Sequence, residues 1–212
     1  MSKTVAETLV GVLEDIGVTH IFGLIGDSLN PLGDAVRKSK IEWVGVRHEE
    51  GAALAATGQA KLTGRLGVCA GTTGPGSTHL VAGLYEAARD HAPVLALIGQ
   101  IASDRIGKGG GELHELPDQT AIVKGLTRWS GIARAPADVP GLMAEAFARI
   151  EAGQAPAAVE LPADVLRQTM ERSGPSNADP VPLPAPAAEA IEAAAACLAG
   201  ATAPLIVVGI GA

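Results

Sequence analysis

The chain is poor in several things at once, and each shortage excludes something. Aromatic residues make up only 2% of its 212 residues (two Trp, two Phe and one Tyr). Any core must therefore be built from Ala, Val, Leu and Ile. Basic residues are few: 16 Lys and Arg stand against 23 Asp and Glu, for a net charge of −7. That balance argues against nucleic acid as the main partner, because phosphate binding needs clustered cations. There are only two cysteines, Cys69 in an apolar strand-like run and Cys197 in an alanine-rich helix. Their spacing suggests neither a disulfide framework nor a zinc site, and both read as buried free thiols. H-x-x-H, H-E-x-x-H and C-x-x-C are all missing, so no metal site built by this chain is expected. No apolar run approaches the length of a membrane span. The N-terminal "MSKTVAETLVGVLEDIG" is an amphipathic helix with an acidic side rather than a signal peptide. A cytoplasmic protein is the expectation.

What is abundant is small and apolar: 47% of residues are hydrophobic and 27 are glycine. Thr4 and Glu7 form a T-x-x-E capping box ahead of Leu9, Val10 and Leu13, with Gly17 as the stop. Strand-like runs then alternate with helical ones. The strands are "HIFG", "IEWVGV", "LGVCAG", "PVLALIG", "RWSGIA" and "PAAVELP". The helices lie in "DSLNPLGDAVRKS", "EEGAALAATGQAKLTG", "GPGSTHLVAGLYEAARD" and "PADVPGLMAEAFARIEA". Several strands are apolar on both faces. That pattern predicts an α/β protein, a three-layer α/β/α sandwich with a mostly parallel sheet of about six strands over residues 1–171. Residues 172–186, rich in Pro and Ser, read as a linker. Residues 187–212 supply one helix and one strand, too little to bury their own apolar faces, and read as the start of a second, truncated α/β domain.

Ligands of open parallel sheets bind beyond the carboxyl ends of the strands. Three junctions carry unusual residues there: "GLIGDSLN" with Gly26 and Asp27, "VRHEEG" with His48, Glu49 and Glu50, and "GTTGPGSTHL" with Thr72, Thr73, Gly74, Pro75 and His79. A fourth segment, "GKGGGELHELPDQ", holds His114 and Glu115. Local sequence leaves each open. Asp27 could cap a helix, and the two glutamates could complement a helix dipole. His20, His79 and His91 read as core or surface histidines. "GTTGPG" could be a plain turn or an anion cradle, and it lacks the Lys of a nucleotide-binding P-loop.

Together, "FGLIGDSLNPL", "IEWVGVRHEE", "GVCAGTTGPGSTHLVAGLYEA" and "DHAPVLALIGQ" resemble the N-terminal pyrimidine-binding domain of thiamine-diphosphate-dependent enzymes. The likeness is nearest to pyruvate oxidase, pyruvate dehydrogenase (quinone) and acetolactate synthase, and it covers about residues 4 to 170. It implies a part in an enzyme that decarboxylates, oxidises or ligates a 2-oxo acid such as pyruvate. It implies that Glu49 hydrogen-bonds the N1′ nitrogen of the cofactor's aminopyrimidine and so assists loss of the thiazolium C2 proton. Glu50, about 100° further round the helix, is expected to be structural. Gly26, Asp27, Thr72, Thr73, Gly74 and Pro75 would line the cofactor; Asp27, His79 and His114 would lie near the substrate. Leu113-His114-Glu115 stands where relatives carry Phe-Gln-Glu, which departs from the family at the substrate side. The family holds its diphosphate and Mg²⁺ in a C-terminal domain through a G-D-G…N-N motif that this sequence lacks, and FAD, where used, needs the middle domain. The resemblance thus implies half a site, completed across subunits of a homodimer or homotetramer, and little activity for the chain by itself. The competing expectation is a stand-alone binding or regulatory module that pairs with a separate diphosphate-binding subunit.

Overall fold

A computed structural model describes residues 2–171 and 185–209 of the chain. Two two-residue strands, β1 (Lys3–Thr4) and β8 (Thr169–Met170), pair antiparallel and tie the first described residues to the end of the domain. Between them lie the strands of the main sheet: β2 (His20–Gly23), β3 (Glu42–Gly45), β4 (Gly67–Gly71), β5 (Val94–Gln100), β6 (Trp129–Ile132) and β7 (Ala157–Pro162). The helices are α1 (Val5–Asp15), α2 (Asn30–Arg37), α3 (Glu49–Thr63), α4 (Pro75–His79), α5 (Val81–Arg89), α6 (Gln119–Lys124), α7 (Asp138–Glu151), α8 (Ala163–Arg167) and α9 (Ala188–Gly200).

The six strands form one sheet in the order β3-β2-β4-β5-β7-β6, every neighbouring pair parallel. This is the expected α/β architecture. The chain moves outward from β2 to β3, then returns to place β4 on the other side of β2. The order therefore reverses between β2 and β4, which is where open parallel sheets form a crevice.

Local chemistry sets the boundaries. Thr4 accepts from the Glu7 backbone N–H while the Glu7 carboxylate accepts from the Thr4 N–H, both at 3.1 Å, completing the capping box of α1. Helix α3 closes on Gly64 in the left-handed conformation (φ 67°). Alternation along the strands divides the core into two layers. Leu95, Leu97, Val159 and Leu161 face a cluster with Leu9, Leu13, Leu32 and Leu166 from the helices. Cys69, Ala96, Ile98 and Ala158 face the other way, onto Ala52, Ala53, Ala56 and Ala60 of α3 and Leu84 and Ala87 of α5.

Several expectations are corrected. The single helix expected within "GPGSTHLVAGLYEAARD" is two, α4 beginning at Pro75 itself and α5 at Val81. The short helices α6 and α8 and the β1–β8 pair have no counterpart in the sequence reading. Cys69 is buried as expected, but Cys197 is exposed, because α9 buries none of its residues. The expected last strand does not form over residues 203–209, which have no pairing partner among the described residues. Most of the expected linker, and the end of "GIGA", lie outside the described residues. No described helix is long and apolar enough to cross a membrane.

Candidate functional site

All six strands run the same way, so their carboxyl ends share one rim. The residues singled out at β2, β3 and β4 meet there.

Glu49 is the first residue of α3. His48 precedes it with extended backbone (φ −153°) and caps the helix, its Nδ1 accepting from the Glu50 N–H at 3.3 Å. That cap fixes the helix start and turns the two glutamates apart. Glu49 is 5% exposed, whereas the Glu50 side chain is 48% exposed. Glu49 Oε2 lies 2.9 Å from His79 Nδ1, and the His79 ring stacks on His48 with centroids 4.3 Å apart. An ionised carboxylate only accepts, so this pairing makes Nδ1 of His79 the donor. No described residue donates to Oε1.

The turn after β4 wraps against it. Gly74 (φ 66°) sits where a Cβ would come 2.2 Å from the carbonyl oxygen of His114, and at Gly76 a Cβ would come 3.2 Å from Glu49 Oε1 and 2.9 Å from the Thr72 methyl. Side chains there would force the turn away from both neighbours. Thr72 Oγ1 lies 2.6 Å from Ser28 Oγ and donates at 3.4 Å to Asp27 Oδ1. The Thr73 N–H donates to Ser28 Oγ at 3.1 Å. Gly26 starts the short 3-10 turn Asp27–Leu29, and its hydrogen lies where a Cβ would meet Thr72 Oγ1 at 2.7 Å.

The glycine-rich segment closes the rim. Glu115 accepts from the backbone N–H groups of Gly109, Gly111 and Glu112 at 3.0, 2.8 and 3.1 Å. This folds the loop into a tight nest. His114 adopts φ 63°, unusual for a residue with a side chain, and its Nδ1 lies 4.0 Å from Asp27 Oδ1. Asp27, Ser28, Thr73, Gln100, Glu112 and Leu113 are among the residues lining a cavity of about 250 Å³.

The structure thus gathers Gly26, Asp27, Glu49, Thr72, Thr73, Gly74, Pro75, His79 and His114 along one rim, through contacts between residues 30 or more positions apart in sequence. Sequence reading missed Ser28, which bridges two loops, and Gln119, which is 2% exposed and accepts from the Gly74 N–H at 2.8 Å. One signal for Gln119 was present: Asp118 directly before it is a helix cap, accepting from the Ala121 N–H at 2.9 Å.

Comparison with known proteins gives this rim a family. Residues 3–122 match the thiamine pyrophosphate enzyme family in its N-terminal TPP binding domain. The chain is 39% identical over 210 residues to pyruvate oxidase of Lactiplantibacillus plantarum, covering 96% of this chain and 34% of that protein. It is 37% identical over 214 residues to acetolactate synthase of Mycobacterium bovis, covering 98% of this chain and 34% of that protein. The acetolactate synthase large subunit of Corynebacterium glutamicum is 35% identical over 213 residues, with 98% and 34% covered. The chain spans about a third of the length of these relatives. It belongs to the thiamine pyrophosphate enzymes, and its α/β/α fold is their N-terminal TPP-binding domain.

Proposed function

We propose that this chain supplies the pyrimidine side of a thiamine diphosphate site in an enzyme acting on a 2-oxo acid, with Glu49 as the residue that activates the cofactor. The observation that carries this reading is the state of Glu49: a carboxylate 5% exposed, at a helix start, with one oxygen on His79 and the other free of described donors. A protonatable ring nitrogen is the partner such an oxygen fits, and the lack of side chains at Gly74 and Gly76 lets the turn pack close against His114, Thr72 and Glu49.

When bound, the cofactor supplies a carbon nucleophile that adds to a carbonyl. The chain's own part is narrower. Glu49 holds or shares a proton at the ring nitrogen. His79, with His48 stacked on it, keeps the Glu49 carboxylate in one rotamer. The Thr72–Pro75 turn, backed by Gly26 and Ser28, forms the wall behind the ring. Asp27 and His114 lie on the substrate side, with His114 Nδ1 4.0 Å from Asp27 Oδ1. Pyruvate oxidase and acetolactate synthase match the chain about equally well, which supports the class of substrate and not one member of it.

In this reading the diphosphate and Mg²⁺ are held by a different domain, from a second subunit of a homo-oligomer, and any flavin binds outside the described fold. Residues 187–209 belong with a further α/β unit, which gives the exposed Leu205, Ile206, Val207 and Val208 a place to pack. The test is hydrogen–deuterium exchange at C2 of thiamine diphosphate in the enzyme that carries this chain. Glu49→Gln keeps the shape and removes the carboxylate. Exchange slowed by about a hundredfold or more is expected; an unchanged rate refutes the assignment.

A further inference from the structure

We infer that Gln119 is a positioning residue for the cofactor-facing turn, and that Glu160 beneath the rim sets the direction of its amide. This rests on the proposed function, since it concerns the wall that Glu49 works against.

Glu160, on β7, is 0% exposed. A buried carboxyl group costs folding free energy unless it is hydrogen-bonded, so a bound role is expected for it. Its Oε2 accepts from Gln100 Nε2 at 2.9 Å and from Gln119 Nε2 at 3.0 Å, while Oε1 has no partner among the described residues. The second proton of Gln119 Nε2 goes to the carbonyl oxygen of Gly99 at 2.9 Å. Both protons of the amide are therefore committed downward, to acceptors only. A flipped amide would set oxygen against oxygen at both places. The Gln119 oxygen is thereby forced upward, where it accepts from the Gly74 N–H at 2.8 Å. The Ser77 hydroxyl lies 3.1 Å from that oxygen and 2.7 Å from the Gly74 carbonyl oxygen, with one proton for either. Gln100 is locked the same way, its oxygen accepting from the Ile101 N–H at 2.8 Å.

The result is a line of fixed polarity from β7 to the turn after β4. Gly74 is the residue whose left-handed conformation bends that turn. Holding its N–H holds Thr73 and Pro75 on either side, and with them the surface offered to the cofactor. Gln119 touches neither cofactor nor substrate in this arrangement; it acts through Gly74. Satisfied buried polar networks of this kind rigidify and specify one geometry.

The test uses Gln119→Glu, which when ionised still accepts from Gly74 but has no protons for Gly99 or Glu160, and the double variant Gln119→Glu with Glu160→Gln, which restores a donor facing position 119. Two readings are taken: amide exchange of Gly74 by NMR in this chain, and C2–H exchange of thiamine diphosphate in the enzyme that carries it. In Gln119→Glu the Gly74 amide is expected to exchange about tenfold faster, with the other β4 amides unchanged, and C2–H exchange to slow about tenfold. The double variant should recover most of both losses. If Gln119→Glu does not fold, Gln119→Met gives the same two readings, and Glu160→Gln should not rescue it. Unchanged Gly74 exchange, or a double variant no better than the single one, overturns the inference. Glu49→Gln runs alongside: if it leaves C2–H exchange intact, the functional reading fails, and the Gly74 amide still decides the role of Gln119.

Discussion

The two faces of the sheet are built differently. One is covered by large side chains: Leu9 and Leu13 of α1, Leu32 of α2 and Leu166 of α8 pack onto Leu95, Leu97 and Leu161. On the other, α3 brings small ones to the sheet, with Ala52, Ala53, Ala56 and Ala60 in one cluster with Cys69, Ala96 and Ala158. On the small face, backbones approach closely. A Cβ on Gly67 would come 2.2 Å from the Ala56 carbonyl oxygen, and one on Gly83 of α5 would come 2.4 Å from the Ala53 Cβ. The large-residue face makes stability by burying area. The small-residue face sets distance: it draws α3 tight against the sheet and so brings Glu49 to the turn after β4. Glu49 opens the helix that covers the face with less bulk to bury.

That contrast can be broken from either side. The largest effect is expected on the large face: Leu95→Ala, fully buried, should cost about 2–5 kcal/mol in chemical denaturation, through lost transfer energy and the cavity left behind. On the small face the fault is the opposite one. Gly83→Ala adds a methyl where there is no room and should cost about 1–3 kcal/mol by overpacking. It should also displace α3, so it lowers C2–H exchange more than its stability loss explains, whereas Leu95→Ala should not. Loss of the α1 cap is a smaller change on the large face: Thr4→Ala should cost about 1 kcal/mol, read as a shift in denaturation midpoint.

Two further tests sharpen the picture at the surface. Hydrogen bonds from Lys38 and then Arg37 hold the Asp34 carboxyl down to about 2, against an ordinary 3.8. Its folded pKa lies below its unfolded one, so its contribution is present above about pH 4 and lost as pH falls toward 2. Asp34→Asn should flatten the acid side of the stability profile in that window, by a small amount because the pair is exposed. The cysteines differ by environment: burial pushes the Cys69 thiol up to about 12, while Cys197 is exposed. Mass spectrometry after thiol alkylation at pH 8 should find one label, on Cys197, and a second only after unfolding.

Much of this was legible in the sequence, because it is written locally. The Thr4–Glu7 capping box, the Gly64 stop, the alternating strands and the placement of Glu49 behind β3 all follow from patterns a few residues long. What was not legible depends on contacts across the fold. Ser28 looks like any serine in a turn until Thr72 arrives 44 residues later. Gln119 opens a helix of six residues, too short for a hydrophobic period, and its worth comes from Gly74, Gly99 and Glu160. Glu160 sits in "VELP" as one polar residue in an apolar strand, which marks it as unusual without saying what it meets. Cys197 was misread because an alanine-rich helix looks buried whether or not anything covers it.

The central claim concerns two adjacent glutamates with different burial. C2–H exchange of thiamine diphosphate, measured in Glu49→Gln and Glu50→Gln versions of the enzyme that carries this chain, tests it most directly. A rate lowered by about a hundredfold or more in Glu49→Gln, with Glu50→Gln close to wild type and both variants equally stable, is the predicted result. Equal rates in the two variants, or a loss confined to Glu50→Gln, would contradict it.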